Sequence, residues 1–331
     1  MKIGNLDLGE RPLLLAPMED VTDVSFRVLC REQGADMVYT EFVNSDGLVR
    51  DVPKTIAKMH TLEEEAPVGI QIYGQHPDAM VEAARMADRA AELAGGHGAD
   101  LVDINFGCPV SKIAGRGAGS GMMREPDKMV AITKAVVEAV GKPVTVKTRL
   151  GWDDSSKIIV ELAERLQDVG IAALTIHGRT RCQLYKGAAD WTLIGAVKAN
   201  PRMHIPIIGN GDITDGPSAR AAFERYGVDA VMIGRATFGH PWIFREIKYY
   251  LKHGEPMPDL TVSEKVALAR RHLALSLKYK GEPRGIYEMR RHLSCYFKGL
   301  PDFKETRMRM VTTLDVAELQ DILDSIEKRY D

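Results

Sequence analysis

Eight short apolar runs, each followed by a stretch with helical spacing, limit what this chain can fold into more than any other feature. They are Leu13 to Ala16, Met37 to Thr40, Val68 to Tyr73, Leu101 to Asn105, Val144 to Thr148, Ala172 to Ile176, Ile205 to Gly209 and Ala230 to Ile233. Near-continuous apolarity suits strands covered on both faces, as a parallel sheet requires, whereas a half-solvated antiparallel sheet would alternate. Helix punctuation recurs between the runs. Thr22 reads as an N-cap, Pro126 as a first-turn proline, Gly141 as a stop and Gly216-Pro217 as a start, and Asp154 or Ser155 can cap the pattern Ile158-Ile159-Leu162-Leu166. Eight strand–helix units over about 240 residues predict an α/β fold, a (β/α)8 TIM barrel.

Past Pro241-Trp242 the strand signal ends. A capping box, Thr261-Val-Ser-Glu264, opens a helix whose stripe is Val266, Ala269, Leu273 and Leu277, and a second stripe runs through Leu314, Leu319, Ile322 and Ile326. The expected division is a catalytic TIM barrel over residues 1–243 and a C-terminal all-α helical bundle domain over 244–331. At 331 residues, 45% hydrophobic and 27% charged, the chain has the composition of a folded globular protein rather than of a disordered or fibrous one. The longest apolar runs stop far short of the roughly 20 residues a membrane helix needs. No charged-then-apolar leader opens the chain, so the cytoplasm is the expected compartment. Cys30, Cys108, Cys182 and Cys295 are too far apart for a CxxC pair and read as reduced thiols; no metal site is expected.

The formal net charge of −2 conceals an asymmetry. Between Lys265 and Arg309 twelve basic residues stand against four acidic ones, a local +8, so the rest of the chain is strongly acidic. Such a segment suits a polyanion, although a solvated helix face is the usual meaning of a charge run.

In a barrel of this kind the site lies where the strands end. The polar groups that follow the runs are Ala16-Pro17-Met18, Glu41, Gln71, Asn105-Phe-Gly-Cys108-Pro109, Lys147 with Arg149, His177-Gly-Arg179, Asn210-Gly211-Asp212 and Gly234-Arg235. The last two fit a phosphate site, because glycine admits backbone N–H groups to the anion. Lys147 ends a strand among apolar neighbours, where an ammonium is costly unless it faces an anion or a ligand carbonyl. Cys108 at the mouth could attack as a nucleophile or donate a proton. The alternating glycines at 115, 117, 119 and 121 fit a flexible active-site loop or a structural one equally well. Neither GxGxxG nor GxxxxGK[ST] is present, which argues against a Rossmann or P-loop nucleotide site.

Taken together, Ala16-Pro17-Met18 with Val21-Thr22-Asp23, Asn105-Phe-Gly-Cys-Pro109, Lys147-Thr-Arg149, Ile176-His-Gly-Arg-Thr-Arg181, Gly209-Asn-Gly-Asp-Ile213 and Ile233-Gly-Arg-Ala236 resemble the tRNA-dihydrouridine synthases. Gly239-His-Pro-Trp-Ile-Phe244 and Met289-Arg-Arg-His-Leu293 resemble its DusB-like bacterial branch. The resemblance spans nearly the whole chain. It implies an FMN-dependent oxidoreductase that reduces the C5=C6 bond of selected tRNA uridines, with NADPH recharging the flavin and no obligate protein partner.

By the same resemblance, Ala16, Pro17, Met18, Gln71, Lys147, His177, Asn210, Gly211, Asp212, Gly234 and Arg235 contact FMN, and Cys108 is the proton donor. Asn105, Arg149 and Arg179 contact the target base, while Arg290 and Arg291 belong to the basic tail expected to hold tRNA. One departure is Val110-Ser111-Lys112, a single lysine where the family often has two. The alternative is a flavin-dependent reductase of a small pyrimidine or enone, which needs no polyanion site.

Overall fold

The computed structural model describes residues 1–331. Its eight barrel strands are β1 (Leu13–Leu15), β2 (Val38–Tyr39), β3 (Val68–Tyr73), β4 (Leu101–Asn105), β5 (Val144–Arg149), β6 (Ala173–His177), β7 (Ile207–Asn210) and β8 (Ala230–Ile233). They pair in the order β1-β8-β7-β6-β5-β4-β3-β2, every ladder parallel. The ends of that path meet at a parallel bridge between Leu14 and Met37, where the Leu15 amide donates to the Met37 carbonyl at 3.0 Å, and the barrel closes.

The near-continuous apolarity has the meaning expected of it. Alternate residues of each strand face two different cores. Leu14, Tyr39, Leu101, Ala173, Ile208, Ala230 and Met232 fill the barrel interior, while Leu13, Leu15, Val38, Ile70, Val102, Val146, Leu174 and Val231 pack outward against the helices. Burying one such aliphatic side chain stabilises the fold by about 2 kcal/mol, so neither face tolerates a polar register. The outer ring comprises α1 (Val24–Glu32), α2 (Pro77–Asp88), α3 (Pro126–Ala139), α4 (Ile159–Asp168), α5 (Thr192–Ala199), α6 (Gly216–Tyr226) and α7 (Ile243–His253), with two short helices, Ser45–Leu48 and Pro53–Ala57, following β2.

Four helices complete the chain: α8 (Val262–Lys280), α9 (Arg284–Tyr296), α10 (Lys304–Thr312) and α11 (Val316–Tyr330). They enclose a second core that includes Leu260, Val266, Leu273, Met289, Leu293, Met310, Leu319 and Ile322. Helix α7 stands on the other side of the divide, because Ile243, Phe244 and Ile247 pack into the barrel's outer core. The barrel's outer core therefore continues through α7, while the second core takes in Trp242 just before it and resumes at Leu260. Across the junction, α8 packs on α1, and Lys280 ion-pairs with both Asp23 and Glu288.

Several local expectations shift. Asp23 caps α1, its carboxylate accepting from the Phe26 amide, while the Thr22 hydroxyl donates to the Met18 carbonyl. Helix α4 starts at Ile159 with no side-chain cap, since Asp153 instead accepts from Ser155 and Ser156 within its own turn. Leu314 is exposed in the turn before α11 rather than part of its stripe. An N-terminal hairpin, Lys2–Ile3 with Leu6–Asp7, was unforeseen; its Ile3 is fully buried in the barrel interior cluster.

Candidate active site

Parallel strands in register bring their terminal side chains to one level, and here that level floors a cavity of about 680 Å³. Ala16, Pro17, Met18, Gln71, Lys147, His177, Asn210, Gly211, Asp212, Gly234 and Arg235 all line it, as do Cys108, Asn105, Arg149 and Arg291. The last comes from α9, so both cores contribute to the wall. Arg179 and Arg290 do not reach it.

Lys147 lies at the bottom, its Nζ donating to Asn210 Oδ1 at 3.1 Å. Burial, with Arg149 nearby, depresses its pKa to about 8. Burial likewise holds His177 neutral, with help from Arg149, Lys147, Arg179 and Arg235. Asn210 is fixed from behind, its Nδ2 donating to the Met232 carbonyl at 2.8 Å.

The two glycine turns meet at one carboxylate. Asp212, at φ +54°, accepts from Arg179 Nη2 and the Ala189 amide through Oδ2 and from Arg235 Nη2 through Oδ1. Arg179, 2% exposed, is otherwise bonded to the carbonyls of Lys186 and Gly187. It shapes the turn from beneath, with its Nη1 3.4 Å from His177 Nε2. Arg235 and Ala236 begin a single helical turn, so their amides have no intrahelical acceptor.

Cys108 is 8% exposed, and burial raises its thiol pKa above the ordinary value, so it is protonated at neutral pH. Its amide and that of Gly107 both donate to Asn105 Oδ1, at 2.8 and 2.9 Å. The segment after Cys108 is packed: Ser120 donates through both its amide and its hydroxyl to the Cys108 carbonyl. Gly119 and Gly121 are buried, and a Cβ at Gly121 would lie 2.4 Å from the Ala114 carbonyl oxygen. Close approach, rather than looseness, accounts for those two glycines.

Arg149 donates to the carbonyls of Gly107, Thr180 and Leu184, which binds the loops after β4 and β6 together; only its Nη2 is left for a ligand. Arg290 lies over Tyr287 and donates to the Thr312 carbonyl. Tyr185 escaped the sequence reading because it sits eight residues past the end of β6. It covers the rim, with the guanidinium of Arg235 4.7 Å and that of Arg149 5.6 Å from its ring. Phe42 and Phe238 also join the wall without any sequence signal beyond their aromaticity.

Positive charge thus converges on a concave site whose two lining carboxylates, Asp212 and Glu19, are each paired with a cation, over a protonated thiol. A family model described as dihydrouridine synthase (Dus) matches residues 14–329. This chain belongs to the dihydrouridine synthase family. A Vibrio cholerae protein named tRNA-dihydrouridine synthase B is 40% identical over 331 residues, covering 100% of this chain and 99% of that one. A Synechocystis protein named probable tRNA-dihydrouridine synthase 1 is 42% identical, covering 98% and 88%. Among solved structures, a morphinone reductase variant superposes with a TM-score of 0.51 at 14% identity over 78% of this chain and 91% of its own, a likeness of fold.

Proposed function

We propose that this protein is an FMN-dependent tRNA-dihydrouridine synthase, reducing the C5=C6 bond of specific uridines in tRNA with electrons from NADPH. What carries the reading is Lys147: a half-buried ammonium whose one hydrogen-bond partner is a neutral amide, facing an open cavity. The Asp103 carboxylate lies behind it, but no anion meets it on the cavity side, and such a cation calls for an anionic or electron-rich occupant. Flavin fits that demand, with Lys147, Gln71, His177 and Asn210 facing the ring, Ala16, Pro17 and Met18 along one edge, and Gly211, Asp212, Gly234 and Arg235 around the phosphate. Phosphate there would take the Arg235 and Ala236 amides and the guanidinium that Asp212 holds in place.

When bound, reduced flavin supplies the hydride for C6 of uracil. The chain's own residues do the rest. Cys108 keeps its proton at neutral pH and delivers it to C5 as charge develops there. Asn105 and Arg149 fix the turn that carries Cys108, and the free Arg149 Nη2 is placed to donate to a uracil carbonyl. A uridine in folded tRNA must be extruded to reach this depth, which requires a separate grip on the backbone. Residues 244–331, whose α9 sends Arg291 into the wall, supply that grip, with Arg290 at its base. No helix is long and apolar enough to cross a membrane. A tRNA substrate supports a cytoplasmic location.

The test is single-turnover reaction of photoreduced holoenzyme with unmodified tRNA, dihydrouridine being counted by mass spectrometry. Formation of dihydrouridine in tRNA, with no turnover of free uridine or a simple enone, is expected. Reduction of the small molecules alone would transfer the assignment to a small-substrate reductase.

A further inference from the structure

Beneath the cavity floor two buried side chains that the reaction described above leaves unused, Asp103 and Thr145, join Gln71 and Asn105 in one hydrogen-bonded chain. Strand register sets Gln71 of β3 beside Asp103 of β4, and Asp103 beside Thr145 of β5. All three are buried, Asp103 among them. Thr145 Oγ1 donates to Asp103 Oδ1 at 2.5 Å, and Gln71 Nε2 donates to Asp103 Oδ2 at 2.6 Å. The other end of the Gln71 amide, Oε1, accepts from Asn105 Nδ2 at 2.9 Å. Asn105 Oδ1 in turn accepts the amides of Gly107 and Cys108.

The polarity of this chain is determined from both ends. Backbone amides can only donate, so Asn105 must present its oxygen to the Cys108 turn and its nitrogen to Gln71. Gln71 must then present oxygen to Asn105 and nitrogen to residue 103. An acceptor is therefore required at 103, and a carboxylate is the side chain that only accepts. Read from Asp103 outward, one buried negative charge orients two amides and the turn that holds the thiol. The charged and titratable groups facing that carboxylate are few: Lys147 of β5 and the phenol of Tyr39 of β2, whose hydroxyl has no partner.

We propose that Asp103 is a positioning residue for the reaction, fixing Gln71 against the flavin and the Asn105–Cys108 turn against the substrate through this relay. The proposal rests on the flavoenzyme reading above. Asp103 touches neither flavin nor base in that reading; it acts through Gln71 and Asn105. Burial raises its pKa to about 6, so above that pH the relay ends on a charge; below it the proton can turn to Thr145 Oγ1, and Gln71 is held by a neutral, weaker acceptor.

Three variants test this in the flavin-bound protein. Asp103→Asn removes the charge and can turn its own NH2 toward Gln71, loosening the relay; single-turnover dihydrouridine formation at saturating tRNA should fall at least tenfold while KM for tRNA changes less than twofold. Wild type should show an ionisation near pH 6 in the flavin visible spectrum that Asp103→Asn lacks. Thr145→Val keeps the charge but removes one donor, and should move that ionisation to higher pH. Asp103→Glu should restore part of the rate.

A readout that needs no turnover is alkylation of Cys108 in apoprotein, followed by peptide mass spectrometry. Freed from the Asn105 anchor, Cys108 in Asp103→Asn should react several-fold faster. Unchanged rates, spectra and alkylation in both Asp103→Asn and Thr145→Val would overturn the proposal. Wild type that forms no dihydrouridine, yet shows the Cys108 effect, would overturn the flavoenzyme reading and leave the relay standing.

Discussion

Cys108 and Lys147 are both buried ionisable groups, and burial acts on them in opposite senses. For the thiol it favours the protonated form, the one a proton donor needs. Cys108→Ala should retain flavin and lose about 10²-fold or more of the single-turnover rate, measured by dihydrouridine formation in unmodified tRNA. For the ammonium, burial favours the neutral form, with half deprotonation near pH 8 in the absence of a ligand. An anionic flavin binds the charged form better, so FMN affinity for apoprotein should decline as pH rises above about 8. Titration calorimetry in two buffers of different ionisation enthalpy should register proton uptake on binding there. Lys147→Met, losing the charge, should bind FMN more weakly and show no such uptake.

At the level of elements, the seam between α1 and the terminal helices concentrates both strain and titration. Gly239 sits at φ +58°, and a Cβ on it would lie 2.4 Å from the His292 carbonyl oxygen and 2.6 Å from the Tyr296 nitrogen. Gly239→Ala should destabilise the protein by more than about 1 kcal/mol, visible as a lowered Tm, and weaken tRNA binding. Beside it, His272 is buried against Phe26 of α1 and its Nδ1 lies 3.1 Å from the Tyr296 hydroxyl. Burial depresses the His272 pKa to about 4. Against an unfolded value near 6.5, its contribution is present above that pH and is lost as pH falls toward 4, by about 3 kcal/mol in all. Urea denaturation across pH 7 to 4 should show the decline, and His272→Gln should flatten it.

The barrel was legible in the sequence because strands buried on both faces have to be apolar throughout, and the mouth residues were legible because they follow those runs directly. The surroundings of Arg179 were not legible, since its neighbours in the motif face the cavity, while the partner that turns it inward, Asp212, is 33 positions away. Tyr185, the hairpin around Ile3 and the side on which α7 packs depend on contacts between distant segments, to which spacing along the chain is blind.

For the molecule as a whole, charge counted along the sequence overstates what tRNA can use. Arg270 pairs with Asp324 and Glu327, Arg271 with Glu32, Lys280 with Asp23 and Glu288, and Arg284 with Glu288. Lys298 and Arg307 have no such carboxylate, and Arg291 meets only the Phe238 ring. Lys298→Glu, Arg307→Glu and Arg291→Glu should each weaken tRNA binding and lower the slope of log affinity against log salt by about 1, whereas Arg271→Gln should leave the slope unaltered. Filter binding between 50 and 200 mM salt, on the order used for such slopes, distinguishes the two groups.

Ile3, wedged among the inward-facing aliphatics, closes the far end of the barrel. A sulfur that has surrendered its hydrogen sits at the opposite, open end, 8% exposed in the cavity wall, and is replenished through the same doorway by which the nucleotide came in. Restoring the acid and letting go of the modified tRNA become a single sequence of events, departure before recharge, and a slow-leaving product would hold the enzyme with its thiol spent.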